Sequence, residues 1–115
     1  WGRAGLSPFT DETYAAYLKN VSDPATMHAM CEDYRAAATI DLEHDRADRD
    51  AGRMIACPLA VHWGAHGVIE KCFQPLEEWR KVAREVSGGS LECGHYIPEE
   101  APQELLACMR AFFKA

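Results

Sequence analysis

The residue best placed to do chemistry in this 115-residue chain is His95, in the stretch Ser90 to Pro102. Glycine at position 94 permits backbone angles that other residues resist, so the turn can project the imidazole from the end of a strand. Imidazole titrates near neutrality, which suits a general base. The bland reading is a loop histidine at the surface, and what precedes and follows His95 decides between the two. Cys93, two residues earlier, is a poor nucleophile for that base, because neighbours this close on a strand and turn seldom converge in hydrogen-bond geometry. Tyr34 is the second candidate. On an apolar stripe a tyrosine is usually core with its hydroxyl reaching a partner, but the same O–H is a donor that can serve a dry pocket. His66, in a glycine-flanked loop, and His44, among mixed charges, read as solvent-exposed, with no partner cluster to make a metal site.

The elements that must position these side chains follow from caps and periodicity. Thr10 is an N-cap for a short helix over about 11–19, with Tyr14, Tyr17 and Leu18 expected on its buried face. Asp23 and Pro24 open a second helix over 24–38, with Met27, Met30, Cys31, Tyr34 and Ala38 on one stripe. Residues 41–50 are a solvated charged helix. At Met54 the texture turns apolar, and a strand is expected at 59–63. Leu76, Trp79, Val82, Ala83 and Val86 give a helix face stopped by Ser87-Gly88-Gly89, Leu91 and Cys93 a second strand, and Pro102 the start of a last helix burying Leu105, Leu106, Met109, Phe112 and Phe113. This strand–helix–strand crossover implies a parallel pair. In open parallel sheets, ligands bind outside the carboxyl ends of the strands, where the Trp63-Gly64 and Gly94-His95 loops both fall. Position thus raises His95 from a surface residue to a candidate base. Two strands alone leave unpaired edges, so further strands are expected from elsewhere.

A hydrophobic content of 48% is that of a globular protein, and the net charge of −6 gives no basic footprint for nucleic acid or an anionic membrane surface. There is no apolar run long enough for a membrane span and no signal-peptide pattern, so a cytoplasmic protein is expected. The cysteines at 31, 57, 72, 93 and 108 are odd in number with no Cys-x-x-Cys pair, which argues for reduced thiols rather than disulfides or zinc. Neither a metal nor a cofactor is expected. Trp1 in place of methionine suggests the tail of something longer.

Five stretches together resemble the haloacetate (fluoroacetate) dehalogenases of the α/β-hydrolase superfamily: Met30 to Ala36, Asp41 to Asp45, Trp63-Gly64-Ala65, Pro75-Leu76 with Trp79-Arg80, and Gly94 to Pro102. Gly-His alone is a weak signal; Cys31-Glu32-Asp33-Tyr34-Arg35 at this distance from Gly94 to Glu100 is specific. The resemblance implies an α/β fold, the C-terminal portion of an α/β-hydrolase. Residues 1–52 would be the end of a helical cap, and residues 53–115 the last two parallel strands with flanking helices. It further implies a small haloacid substrate, a carboxylate nucleophile that displaces halide to leave an ester on the enzyme, and His95 as the histidine that activates water against that ester. Tyr34 would match the cap tyrosine that helps hold the departing halide, and Trp1 a tryptophan lining the pocket. The nucleophile and the substrate-clamping arginines would precede residue 1, so the chain would need the N-terminal part of the core and be inert alone; a homodimer is left open. Many α/β-hydrolases carry the triad acid just after the strand ending in Trp-Gly. Here Ala65-His66-Gly67-Val68 holds no aspartate and Glu70 is a weak substitute. Epoxide or ester hydrolysis, and a non-catalytic remnant of the same fold, are the alternative readings.

Overall fold

The computed structural model describes residues 5–114. These form two compact units, one of residues 9–53 and one of residues 54–114 together with 5–8. Trp1, expected in the substrate pocket, lies outside the described residues.

The first unit is three helices, α1 (Asp11–Val21), α2 (Pro24–Ala37) and α3 (Ile40–Asp50). The Thr10 hydroxyl accepts the N–H of Thr13 at 3.1 Å, and the Asp23 carboxylate accepts that of Ala25 at 3.1 Å, so both expected N-caps form. The bonds from Ala25 and from the Thr26 hydroxyl hold the Asp23 carboxyl below the ordinary carboxylate range. The helical faces differ from expectation. Tyr14, Tyr17, Leu18, Met27 and Met30 are exposed, Tyr34 is 77% exposed, and none of the three helices buries a residue. The reason is geometric: α1 packs on α2 and α2 on α3, and within so small a unit the stripes have no second layer to close over them. Phe9 meets Tyr17 edge to face at 5.8 Å. The α3 helix is solvated throughout, as its charge pattern implies.

In the second unit β1 (Leu59–Gly64) pairs in parallel with β2 (Val86–Leu91), Leu59 opposite Val86 and Gly64 opposite Leu91. The crossover runs through α4 (Ile69–Cys72) and α5 (Pro75–Arg80). Two expectations fail here. The helix ends at Arg80 rather than running to Val86, because the following residues turn back to the sheet: Ile55 donates to Val82 O at 2.8 Å, Arg84 donates to Ile55 O at 3.1 Å, and Ala83 is buried against this bridge. The second strand spans Val86–Leu91 rather than holding Leu91 and Cys93, so Ser87-Gly88-Gly89 is strand and not a helix stop, and Cys93 lies in the turn beyond it. A Cβ on Gly88 would lie 1.9 Å from the carbonyl oxygen of its cross-strand partner Val61, at a φ of +123°. Glycine is there for close backbone approach. After α6 (Ile97–Glu100), α7 (Pro102–Lys114) returns beside β2. Leu105, Cys108 and Phe112 are partly covered, while Leu106, Met109 and Phe113 of the expected buried stripe are exposed, since a two-stranded sheet is too narrow to cover the whole helix face. The buried apolar residues of the described chain, Ala83, Cys93 and Ala101, all belong to this unit.

Candidate functional site

The carboxyl ends of β1 and β2 are tied together by backbone bonds. Ala65 N donates to Leu91 O at 2.9 Å and His66 N to Cys93 O at 3.0 Å, so the loop leaving β1 and the turn leaving β2 are held as one piece. Gly64 makes this possible: a Cβ there would sit 1.8 Å from Gly94 O and 2.7 Å from Cys93 O. The end of β1 therefore presses directly on the backbone that carries His95. Cys93 and Gly94 are buried, and His95 is the first residue to emerge into solvent, with its ring edge to face on Tyr96 at 5.4 Å.

The turn is gripped from its other side by Glu100. One carboxylate oxygen accepts the N–H of Gly94 at 2.7 Å, the other that of Tyr96 at 3.2 Å. Nothing in the amino-acid pattern had singled out Glu100, although glutamate four residues after the helix N-cap Tyr96 is a near relative of the capping-box spacing and could have been read as such.

Beside the turn lies a groove of about 520 Å³ lined by His66, Glu92, Cys93, Glu99 and Glu100 with Ser7 and Pro8 of the same unit. His66 is thus in the same loop cluster as the His95 turn, and its Nε2 pairs with the Glu92 carboxylate at 3.1 Å. His95 is not among the lining residues. The Cys93 thiol is pushed up by burial first, then by Glu100, Glu104 and Glu92, so it stays protonated and packs as an apolar group. Glu70 lies in a different depression, with Trp63, Phe73 and Gln74. There the Trp63 indole N–H is buried without a hydrogen-bond partner among the described residues. His62 Nδ1 lies 3.1 Å from Gly89 O and serves the strand pair. Tyr34 is in the helical unit, on α2. Among the described residues no three His, Cys, Asp or Glu side chains converge to hold a metal, and no helix is long and apolar enough to cross a membrane.

An exposed imidazole on a turn anchored from two sides, at the carboxyl end of a parallel pair, can take a proton from water without the backbone having to rearrange. No family model matches the chain. A fluoroacetate dehalogenase of Burkholderia sp is 34% identical over 112 residues, 97% of this chain and 36% of the relative. A soluble epoxide hydrolase of Corynebacterium sp. (strain C12) is 30% identical over 106 residues, 91% of this chain and 35% of the relative. Among solved structures, a protein from Nostoc sp PCC 7120 assigned to the α/β hydrolases superposes with a TM-score of 0.91 at 48% identity, over 98% of this chain and 38% of its own. The chain thus spans little more than a third of the length of these relatives. Its two parallel strands and helices have the fold of the C-terminal third of α/β-hydrolase chains.

Proposed function

We propose that this chain is the histidine-bearing part of a hydrolase that removes halide from a haloacetate through an aspartyl ester, with His95 activating the water that cleaves the ester. The observation that carries the proposal is the His95 turn, exposed at the carboxyl end of the strand pair and held by Gly64 and Glu100. The likeness to a fluoroacetate dehalogenase supports the choice of substrate. In this reading a carboxylate from the remaining core attacks the α-carbon and halide leaves. Water then loses a proton to His95 as its oxygen adds to the ester carbonyl, and glycolate departs with the nucleophile regenerated. Tyr34, and Trp1 as a pocket wall, act in the first step: fluoride leaving carbon needs O–H and N–H donors where charge develops.

The remaining core is part of the proposal. A two-stranded sheet with open edges and an unpartnered Trp63 N–H calls for neighbouring strands and an acceptor. Residues 9–53 would act as the end of a cap. Five free cysteines suit a cytoplasmic protein. The epoxide hydrolase relative keeps epoxide opening as a second reading, because the same histidine would cleave the same kind of ester.

The test is to assay the complete protein with fluoroacetate, chloroacetate and a simple epoxide. Halide release with glycolate formation is expected; diol formation without halide release would replace the first reading by the second. Tyr34→Phe should slow halide release by about 10- to 1000-fold, the scale for one lost charge-stabilising donor, and more for fluoride than for chloride. Equal slowing of both halides would remove Tyr34 from the halide pocket.

A further inference from the structure

We infer that Glu100 is the positioning residue of the His95 turn, a role that rests on the function proposed for His95 and acts through backbone rather than on substrate. Its two carboxylate oxygens take the N–H groups of Gly94 and Tyr96, the residues on either side of His95, at 2.7 and 3.2 Å. The link runs in both directions, because the backbone N–H of Glu100 donates to Tyr96 O at 2.8 Å. Tyr96 is the N-cap of α6, and the carboxylate reaches back one turn of helix to the N–H of this N-cap residue, as the glutamate of a capping box does. Glu100 is itself anchored: the next residue, Ala101, is buried, and its N–H closes on Ile97 O at 2.9 Å.

Two acceptor oxygens are what the site requires. A carboxylate offers acceptors on both oxygens, whereas an amide of the same shape offers one acceptor and would turn an NH₂ toward a backbone N–H. Bonds from N–H to a charged acceptor are also the stronger kind. Gly64 blocks the turn from moving toward β1, and Glu100 stops it from moving away. Between them the imidazole has one backbone position from which to meet water and ester. The Glu92 carboxylate, the nearer in sequence to β2, is taken by His66 and leaves this task to Glu100.

Rapid-quench kinetics on the complete protein with chloroacetate separate halide release from ester cleavage. Glu100→Gln should leave the first-turnover halide release unchanged and slow ester cleavage by about 100-fold, the scale of an ångström of misplacement, so that ester accumulates on the enzyme. Glu100→Asp, which keeps both acceptors, should fall between Gln and wild type. Equal slowing of both steps would make Glu100 merely structural and overturn the inference. So would wild-type ester cleavage in Glu100→Gln when His95→Asn accumulates ester, a result that spares the role of His95. Normal turnover in His95→Asn would instead remove both. Should the Glu100 variants not fold, hydrogen exchange on the unaltered protein decides: the amide of Tyr96, an exposed residue, is slow to exchange if the carboxylate holds it and exchanges as a free loop amide if it does not.

Discussion

In the helical unit the characteristic ties are local: Thr10 to Thr13, Arg35 to Thr39 and Asp48 to Arg53, partners three, four and five residues apart. In the strand unit His62 reaches Gly89, His66 reaches Glu92 and Ser87 reaches Leu59, across 27, 26 and 28 residues. Among the described residues the buried apolar ones, Ala83, Cys93 and Ala101, are on the strand side, and none of the three helices buries one. The contrast teaches where substitutions will be felt. A lost tie of this kind in α1 to α3 is confined to a turn or two of helix, whereas a change at the end of β1 is transmitted at once to a turn 30 residues later in the chain, because Gly64 lies against Gly94.

The largest effect is expected from adding one methyl group to that contact. Gly64→Ala puts a Cβ into the carbonyl oxygens of Gly94 and Cys93, and overpacking against backbone should cost about 3 kcal/mol and displace His95. Thermal denaturation of the complete protein with a parallel activity assay checks this. Full activity with unchanged stability would mean that the strand ends are not in contact. The helical counterpart is smaller. Thr10→Ala removes the α1 N-cap and should cost about 1 kcal/mol without altering ester cleavage. An activity loss as large as that of Gly64→Ala would erase the distinction between the two units.

The smallest effect is one of reactivity. Cys31, Cys57 and Cys72 are exposed, whereas Cys93 is buried and its thiol is pushed up, first by burial and then by Glu100, Glu104 and Glu92. A raised thiol pKa means less thiolate at neutral pH, and burial keeps reagents out, so a thiol reagent should reach Cys93 last. Peptide mapping after timed alkylation reads the order. Early modification of Cys93 would mean that the turn beneath His95 is open.

Much of this was legible in the amino-acid order, for reasons that differ by region. Thr10, Asp23-Pro24 and Pro102 announce helix starts because capping is chemistry within a few residues of the end it serves. The parallel pairing and the place of His95 followed from the crossover. Ser87-Gly88-Gly89 was misread as a helix stop because a glycine serves equally at a helix C-terminus and at a close backbone approach; the residue that decides, Val61, is far away in the chain. Tyr34 illustrates the opposite limit: an apolar stripe declares a face, but only the packed structure tells whether anything covers it, and here the tyrosine is exposed. Glu100 is harder to read, because its partners are backbone N–H groups, which every residue owns, and its spacing from Tyr96 is one residue longer than a capping box.

The central claim is that His95 serves the second step and only the second. Replacing His95 with asparagine in the complete protein, exposing it to chloroacetate and weighing the intact protein tests this most directly. The expected result is one halide released per active site and a mass increase equal to one carboxymethyl group, retained as an ester because the water that should cleave it has lost its base. Unmodified protein turning over at the normal rate would contradict the account.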